Sequence, residues 1–130
     1  MKPDVLMEYA KEAMRKAYVP YSGFWVGAAL LAADGRVFTG CNIENSAFSP
    51  TICAERTAFA KAVSEGCREF TAIAVCGGKN GEITALCSPC GVCRQVMREF
   101  CREDFAVYLT DGEKIQTYTL KELLPESFQL

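Results

Sequence analysis

The sequence predicts an α/β layered sandwich built around one central sheet. Three observations carry this reading. Segments with apolar residues at helical spacing alternate with short apolar runs, in the order α-β-β-α-β-α-β-β-α. Two of the runs, "FTAIAVCGG" and "DFAVYLT", show no polar alternation and read as buried strands. Asp34-Gly35 and Asp111-Gly112 each stand between two strand-like runs, where glycine's tolerance of positive φ suits a turn. A chain of 130 residues is expected to form one domain, residues 1–130.

Each element has a local reason. Residues 4–18 place Val5, Met7, Ala10, Met14 and Ala17 at helical spacing, with Asp4 as N-cap after Pro3. Pro20 and Gly23 end that pattern. "WVGAALLAA" and "RVFTGCNIE" read as two strands of a hairpin, and "SAFSPT" as a loop into a second helix over about 51–65, stopped by Gly66. A third helix is expected from Pro89 to Cys101, with Ser88 as N-cap and Pro89 at N1, where its missing N–H costs nothing. Thr119 and Glu122 have capping-box spacing, so a short last helix, "LKELL", should end at Pro125.

Composition narrows the function. The net charge is −2 and the basic residues are interspersed with acidic and apolar ones, which argues against a polynucleotide or a phosphate-rich ligand and favours a neutral small molecule. Half of the residues are hydrophobic, enough to expect some apolar surface to be buried between copies of the chain. There is no run of 18 apolar residues and no signal-like segment, so the expected location is cytoplasmic. In that compartment the eight cysteines point to metal or redox chemistry rather than disulfides. Histidine is absent, which leaves Cys, Asp, Glu, Lys and Tyr to build any catalytic site.

Two cysteine-bearing stretches answer that requirement. In "TICAERTAFAKAV" Cys53 opens a helix; in "CSPCGVCRQVM" Cys90 and Cys93 fall in the first turns of another. Helix N-termini favour the thiolate, the species a metal binds. Cys53, Cys90 and Cys93 would hold Zn²⁺ and leave its fourth position to a water acidified towards ~7. Arg56, one turn after Cys53, would offset the surplus negative charge. Glu55 lies about 200° round an ideal helix from Cys53. It is therefore expected not as a fourth ligand but beside the open position, moving protons. Cys87 offers an alternative: with the other three it could close a purely structural four-cysteine site, and the triplet also has iron–sulfur-like spacing. A helix that starts after Ser88-Pro89 leaves Cys87 outside it, so Cys87 is taken as a bystander. Cys41, Cys67, Cys76 and Cys101 are expected to be small buried apolar residues.

"C-A-E-R" at 53–56 and "S-P-C-G-V-C-R-Q-V" at 88–96 resemble the zinc-dependent cytidine deaminase family. So do "YVPYSGFWVGAALLAADGRVFTGCNIENSAFS" and "LLPESF", so the likeness covers nearly the whole chain. The resemblance implies a three-layer α-β-α sandwich with a mixed sheet of about five strands and one zinc per chain. It implies hydrolytic deamination of cytidine and deoxycytidine, as in pyrimidine salvage, with Glu55 as the proton carrier. It also implies that Asn42 and Glu44 bind ribose hydroxyls, that Phe24 packs on the pyrimidine, and that the backbone of Ala54 and Ser88 reads the base edge. In the short members Phe48 and Phe128 correspond to residues that reach a neighbour's site in a homotetramer; many members carry Tyr where this chain has Phe48. Two rivals remain at this point: a deaminase of a modified cytosine nucleoside such as blasticidin S, and a non-catalytic four-cysteine zinc module.

Overall fold

The computed structural model describes all 130 residues. The elements are α1 (Pro3–Met14), β1 (Phe24–Ala32), β2 (Val37–Cys41), α2 (Ala54–Ser64), β3 (Phe70–Lys79), α3 (Gly91–Phe100), β4 (Ala106–Thr110), β5 (Ile115–Thr119) and α4 (Leu120–Leu123). The strands form one sheet in the order β2-β1-β3-β4-β5. β3 and β4 pair in parallel and every other neighbouring pair is antiparallel, so the sheet is mixed as expected. No helix is long and apolar enough to cross a membrane.

Strand alternation sorts the core into two layers. Val26, Ala28, Leu30 and Ala32 of β1, with Ile73 and Val75 of β3, pack with Ala54, Ala58, Phe59 and Ala62 of α2 and Met97 of α3. The opposite face carries Ala29, Ala72, Ala74 and Cys76 against Leu6, Met7, Ala10 and Met14 of α1. The positions 6, 7, 10, 13 and 14 make one helical stripe. The sheet is thus covered on both faces, α1 on one and α2 with α3 on the other.

Two strand glycines set how closely the helices approach. A Cβ on Gly27 would lie 2.1 Å from the Ala10 carbonyl oxygen and 2.5 Å from the Met14 nitrogen, and one on Gly40 would lie 2.4 Å from the Ala54 oxygen. These obstacles are helix backbone, which cannot swing aside. Gly27→Ala is expected to destabilise the fold by about 3 kcal/mol, read as a lower denaturation midpoint with an unchanged slope. Wild-type stability in that variant would show that α1 can move off the sheet freely.

The helix starts differ from those expected. Lys2, not Asp4, is the N-cap of α1, with Pro3 at N1 and Asp4 in the first turn. The helix stops at Met14 because Tyr18 is drawn into pairing: its N–H donates to the Asn42 carbonyl and its carbonyl accepts from the Glu44 N–H. Ser49-Pro50 belongs to a turn, and α2 starts only at Ala54 with Cys53 as N-cap. In α3 the N-cap is Cys90 rather than Ser88, because Cys90 is itself extended (φ −69°, ψ 167°). The Thr119–Glu122 capping box is present at the start of α4. β2 ends at Cys41, short of Asn42 and Glu44. Cys67, Cys76 and Cys101 are buried as expected, whereas Cys41 is half-exposed at the end of this edge strand.

Candidate active site

The N-termini of α2 and α3 meet with cysteine at both N-caps. Cys93 is at N3 of α3. N-cap and N3 side chains converge in a capping box, and here the same geometry brings two sulfurs together. The Sγ of Cys90 lies 3.5 Å from that of Cys93 and 3.9 Å from that of Cys53. The three sulfurs all lie within 4.8 Å of one another. A tetrahedral ion with Zn–S bonds of about 2.3 Å requires S···S edges of ~3.8 Å, so the cluster has the dimensions of a zinc site. Three residues hold the sulfurs, and the donor set is all thiolate, which suits Zn²⁺.

The electrostatics suit a cation as well. The N–H groups of Ala54, Glu55 and Arg56 have no backbone acceptor, as at any helix start, and α2 directs its positive end at the cluster. Nη2 of Arg56 donates to the Sγ of Cys53 at 3.5 Å, and its Nε is buried without an acceptor. A hydrogen bond from Cys93, with help from Arg56, holds the Cys53 thiol down at about 5. The same shared proton and burial push Cys93 above the ordinary thiol range. A helix start was expected to lower both thiols; the contrast arises because one proton between two close sulfurs leaves one of them a thiol. A divalent ion held by the three sulfurs would take the place of that proton.

Glu55 is 4% exposed, and Thr110 is the other buried residue with a polar or charged side chain. Burial pushes its carboxyl up to about 7, against hydrogen bonds from its own N–H and from Cys93. It lies outside the three-sulfur group but lines the cavity beside it. Because Cys53 is an N-cap and not a helical residue, the ideal-helix angle does not describe this pair; Glu55 is at N2 and its side chain is buried against the cluster.

The cavity measures about 170 Å³ and is lined by Val26, Asn42, Glu44, Thr51, Ile52, Cys53, Ala54, Glu55, Cys87, Ser88 and Cys90. An outer recess of about 440 Å³, lined by Tyr21, Ser22, Glu44, Asn45, Phe48 and Thr51, shares Glu44 and Thr51 with it. Asn42 accepts from the Val26 N–H and donates to the Phe24 carbonyl, both at 2.9 Å, which fastens it to β1. Glu44 accepts from the Tyr21 and Ser22 N–H groups and from the Ser22 hydroxyl. Those bonds, led by the hydroxyl's, hold its carboxyl below the usual range. Phe24 sits on the same face of β1 as Val26 but outside the cavity lining, 39% exposed. Val26 and Ile52 supply apolar wall that the sequence reading missed; the alternation of β1 could have pointed to Val26. Phe48 and Phe128 are 74% and 66% exposed.

Cys87 is half-buried and lies outside the three-sulfur cluster. Its sulfur packs against Gly77, and burial pushes its thiol up to about 12. Three sulfurs converge and that of Cys87 is not among them, so the cluster is not a four-cysteine site. Cys87→Ala is therefore expected to retain one zinc per chain by elemental analysis, and loss of the metal would restore Cys87 as a ligand.

Three sulfurs for one cation, with an open side facing a cavity and a buried carboxyl beside it, are the equipment of a metal-assisted hydrolase. Comparison with known proteins gives the same class more narrowly. The cytidine and deoxycytidylate deaminase zinc-binding region matches residues 1–109. A cytidine deaminase from Sporosarcina psychrophila is 54% identical over 129 residues, 98% of this chain and 92% of that one. The crystal structure of cytidine deaminase from Burkholderia pseudomallei superposes with a TM-score of 0.91 at 46% identity, covering 98% of this chain and 100% of that one. A blasticidin-S deaminase from Bacillus cereus is 32% identical over 124 residues, 92% of this chain and 87% of its own length. The chain belongs to the cytidine and deoxycytidylate deaminase family; it is a hydrolytic deaminase with a zinc-binding region, in which Cys53, Cys90 and Cys93 form a cluster positioned to bind the metal.

Proposed function

We propose that the chain removes the 4-amino group of cytidine and deoxycytidine by hydrolysis, releasing ammonia and the uridine product. The observation that carries this reading is a pair of neighbouring cavities that share Glu44 and Thr51: a small inner one lined by Cys53, Cys90 and Glu55, and a wider outer one. A flat base in the inner cavity would carry its sugar into the outer one, beside the Glu44 carboxylate.

Cys53, Cys90 and Cys93 would hold zinc, which when bound would supply an acidified water, its pKa lowered from about 15.7 to ~7. Glu55 does the proton work. It takes up the proton released as water adds to ring C4 and passes it to ring N3; it then takes the proton of the new C4 hydroxyl and delivers it to the amino nitrogen, which departs as ammonia while C4 becomes a carbonyl. Its raised pKa suits a group that must both accept and donate near neutral pH. Ala54 lines the same cavity and its N–H has no backbone acceptor, so that N–H would donate to the ring's carbonyl edge. Val26 and Ile52 line the cavity with apolar surface. Asn42 and Glu44 bind the sugar hydroxyls; the Ser22 hydroxyl and two backbone N–H groups pre-orient the carboxylate for this. Phe24, which lines neither cavity, would pack on the pyrimidine only as the base enters, and Arg56 balances the charge of the sulfurs.

The active protein is a cytoplasmic homotetramer in this reading, with sites at subunit interfaces. Phe48 supports it: the ring is 74% exposed, stands edge-on to Tyr21, and the residue sits at φ 64°, a strained conformation for a bulky side chain. Phe48 and Phe128 would reach a neighbouring copy. The test is a comparison of kcat/KM for cytidine, deoxycytidine and blasticidin S on one zinc-loaded preparation, with the mass of the assembly measured alongside. Turnover of both nucleosides by a tetramer supports the reading; turnover of blasticidin S alone replaces it with the modified-nucleoside reading, and an active monomer removes the shared sites.

A further inference from the structure

Between the end of β3 and the start of α3 the chain runs from Asn80 to Cys90 without regular structure, yet it delivers Ser88 to the cavity and Cys90 to the metal cluster. Asn80, Gly81 and Glu82 are tied by backbone hydrogen bonds, but no N–H from Ile83 to Cys90 has a backbone acceptor. Outside the thiol cluster, the hydrogen bonds made within the chain by residues 83–90 all end on one residue, Arg94. Its backbone N–H donates to the Cys90 carbonyl at 3.0 Å, its Nε to the Pro89 carbonyl at 2.8 Å, and its Nη2 to the Ser88 hydroxyl at 3.2 Å. The remaining arm of the guanidinium, Nη1, donates to the Leu123 carbonyl at 2.6 Å, at the end of α4.

We propose that Arg94 is a positioning residue, which fixes the loop carrying Ser88, Pro89 and Cys90 and ties the metal centre to the C-terminal segment. Arg94 lines neither cavity and is not one of the clustered residues. A planar fork reaching three acceptors on two segments is something a guanidinium provides and an ammonium does not. Buried or half-buried partners of this kind set the orientation of ligands, and their loss typically weakens metal binding or activity by about 10–100-fold. Arg98, one turn further along α3, is the built-in control. It donates to the Ser127 hydroxyl at 2.9 Å and to the Cys101 carbonyl at 3.1 Å, so it fastens the same tail without touching the loop.

The inference rests on the zinc-deaminase reading, and the experiment separates the two. Full-length wild type and the R94A, R94K and R98A variants are analysed for zinc per chain, for the rate of zinc loss to a chromogenic chelator, and for KM and kcat on cytidine. R94A and R94K should lose zinc about ten-fold faster than wild type or more, with raised KM, while R98A loses it at the wild-type rate. R94A with wild-type zinc loss and wild-type KM overturns the proposal. R94K indistinguishable from wild type overturns the fork and leaves only charge, and this arm decides should R94A fail to fold. R98A losing zinc as fast as R94A also overturns it, because tail docking alone would then suffice. A wild-type protein without zinc would sink the deaminase reading instead.

Discussion

Glu55→Gln keeps its zinc and loses turnover of cytidine by about 10⁴-fold. The substitution preserves volume and the polar contacts of a residue that is 4% exposed, so the fold and the three sulfurs are left alone. What it removes is the capacity to hold a proton and give it up. Deamination needs that capacity more than once: addition to C4 leaves charge on N3, and an amino group departs readily only after protonation. No histidine is available to substitute, because the chain has none. Elemental analysis and a progress curve on the same sample check the prediction. A variant with full zinc and a substantial fraction of wild-type rate would remove Glu55 from the chemistry.

Cys93→Ala has the second large effect, and it acts through the metal. Cys93 is completely buried at N3 of α3, with its sulfur 3.5 Å from that of Cys90. Without it two thiolates remain, too few for a stable site, so the variant should carry no zinc after dialysis and show no turnover even with zinc added back. Its stability should also fall, since a ligand that binds only the folded chain stabilises it by mass action. The comparison with Cys87→Ala makes the result specific. Both delete a thiol from the same stretch, but only one of those thiols belongs to the cluster. Zinc retained in Cys93→Ala and lost in Cys87→Ala would reverse the assignment of ligands.

Much of this was legible in the residues. The order of elements followed from periodicity, and the Asp34-Gly35 turn and the Thr119–Glu122 capping box followed from local chemistry that tertiary packing did not override. The grouping of Cys53, Cys90 and Cys93 was readable because each lies at a helix start, where thiolates are favoured. The exact starts were not readable. Ser-Pro before each helix looks like an N-cap followed by N1, but Pro also sits well in extended chain, and both Cys53 and Cys90 are held extended at the junction. The cavity walls were partly hidden for a different reason. Val26 and Ile52 come from segments far apart in sequence, joined through the Ile43–Ile52 bridge and the β1–β2 pairing. Arg94 was hidden too, since nothing in its neighbours announces that it reaches Leu123.

Three thiolates and one carboxyl, in this reading, form an open, catalytic zinc centre facing a nucleoside cavity. The most direct test follows the ultraviolet absorbance of cytidine mixed with protein whose zinc content has just been measured. The expected result is one zinc per chain and complete conversion of the spectrum to that of uridine, with ammonia released in equal amount. One zinc per chain with an unchanged cytidine spectrum would contradict it.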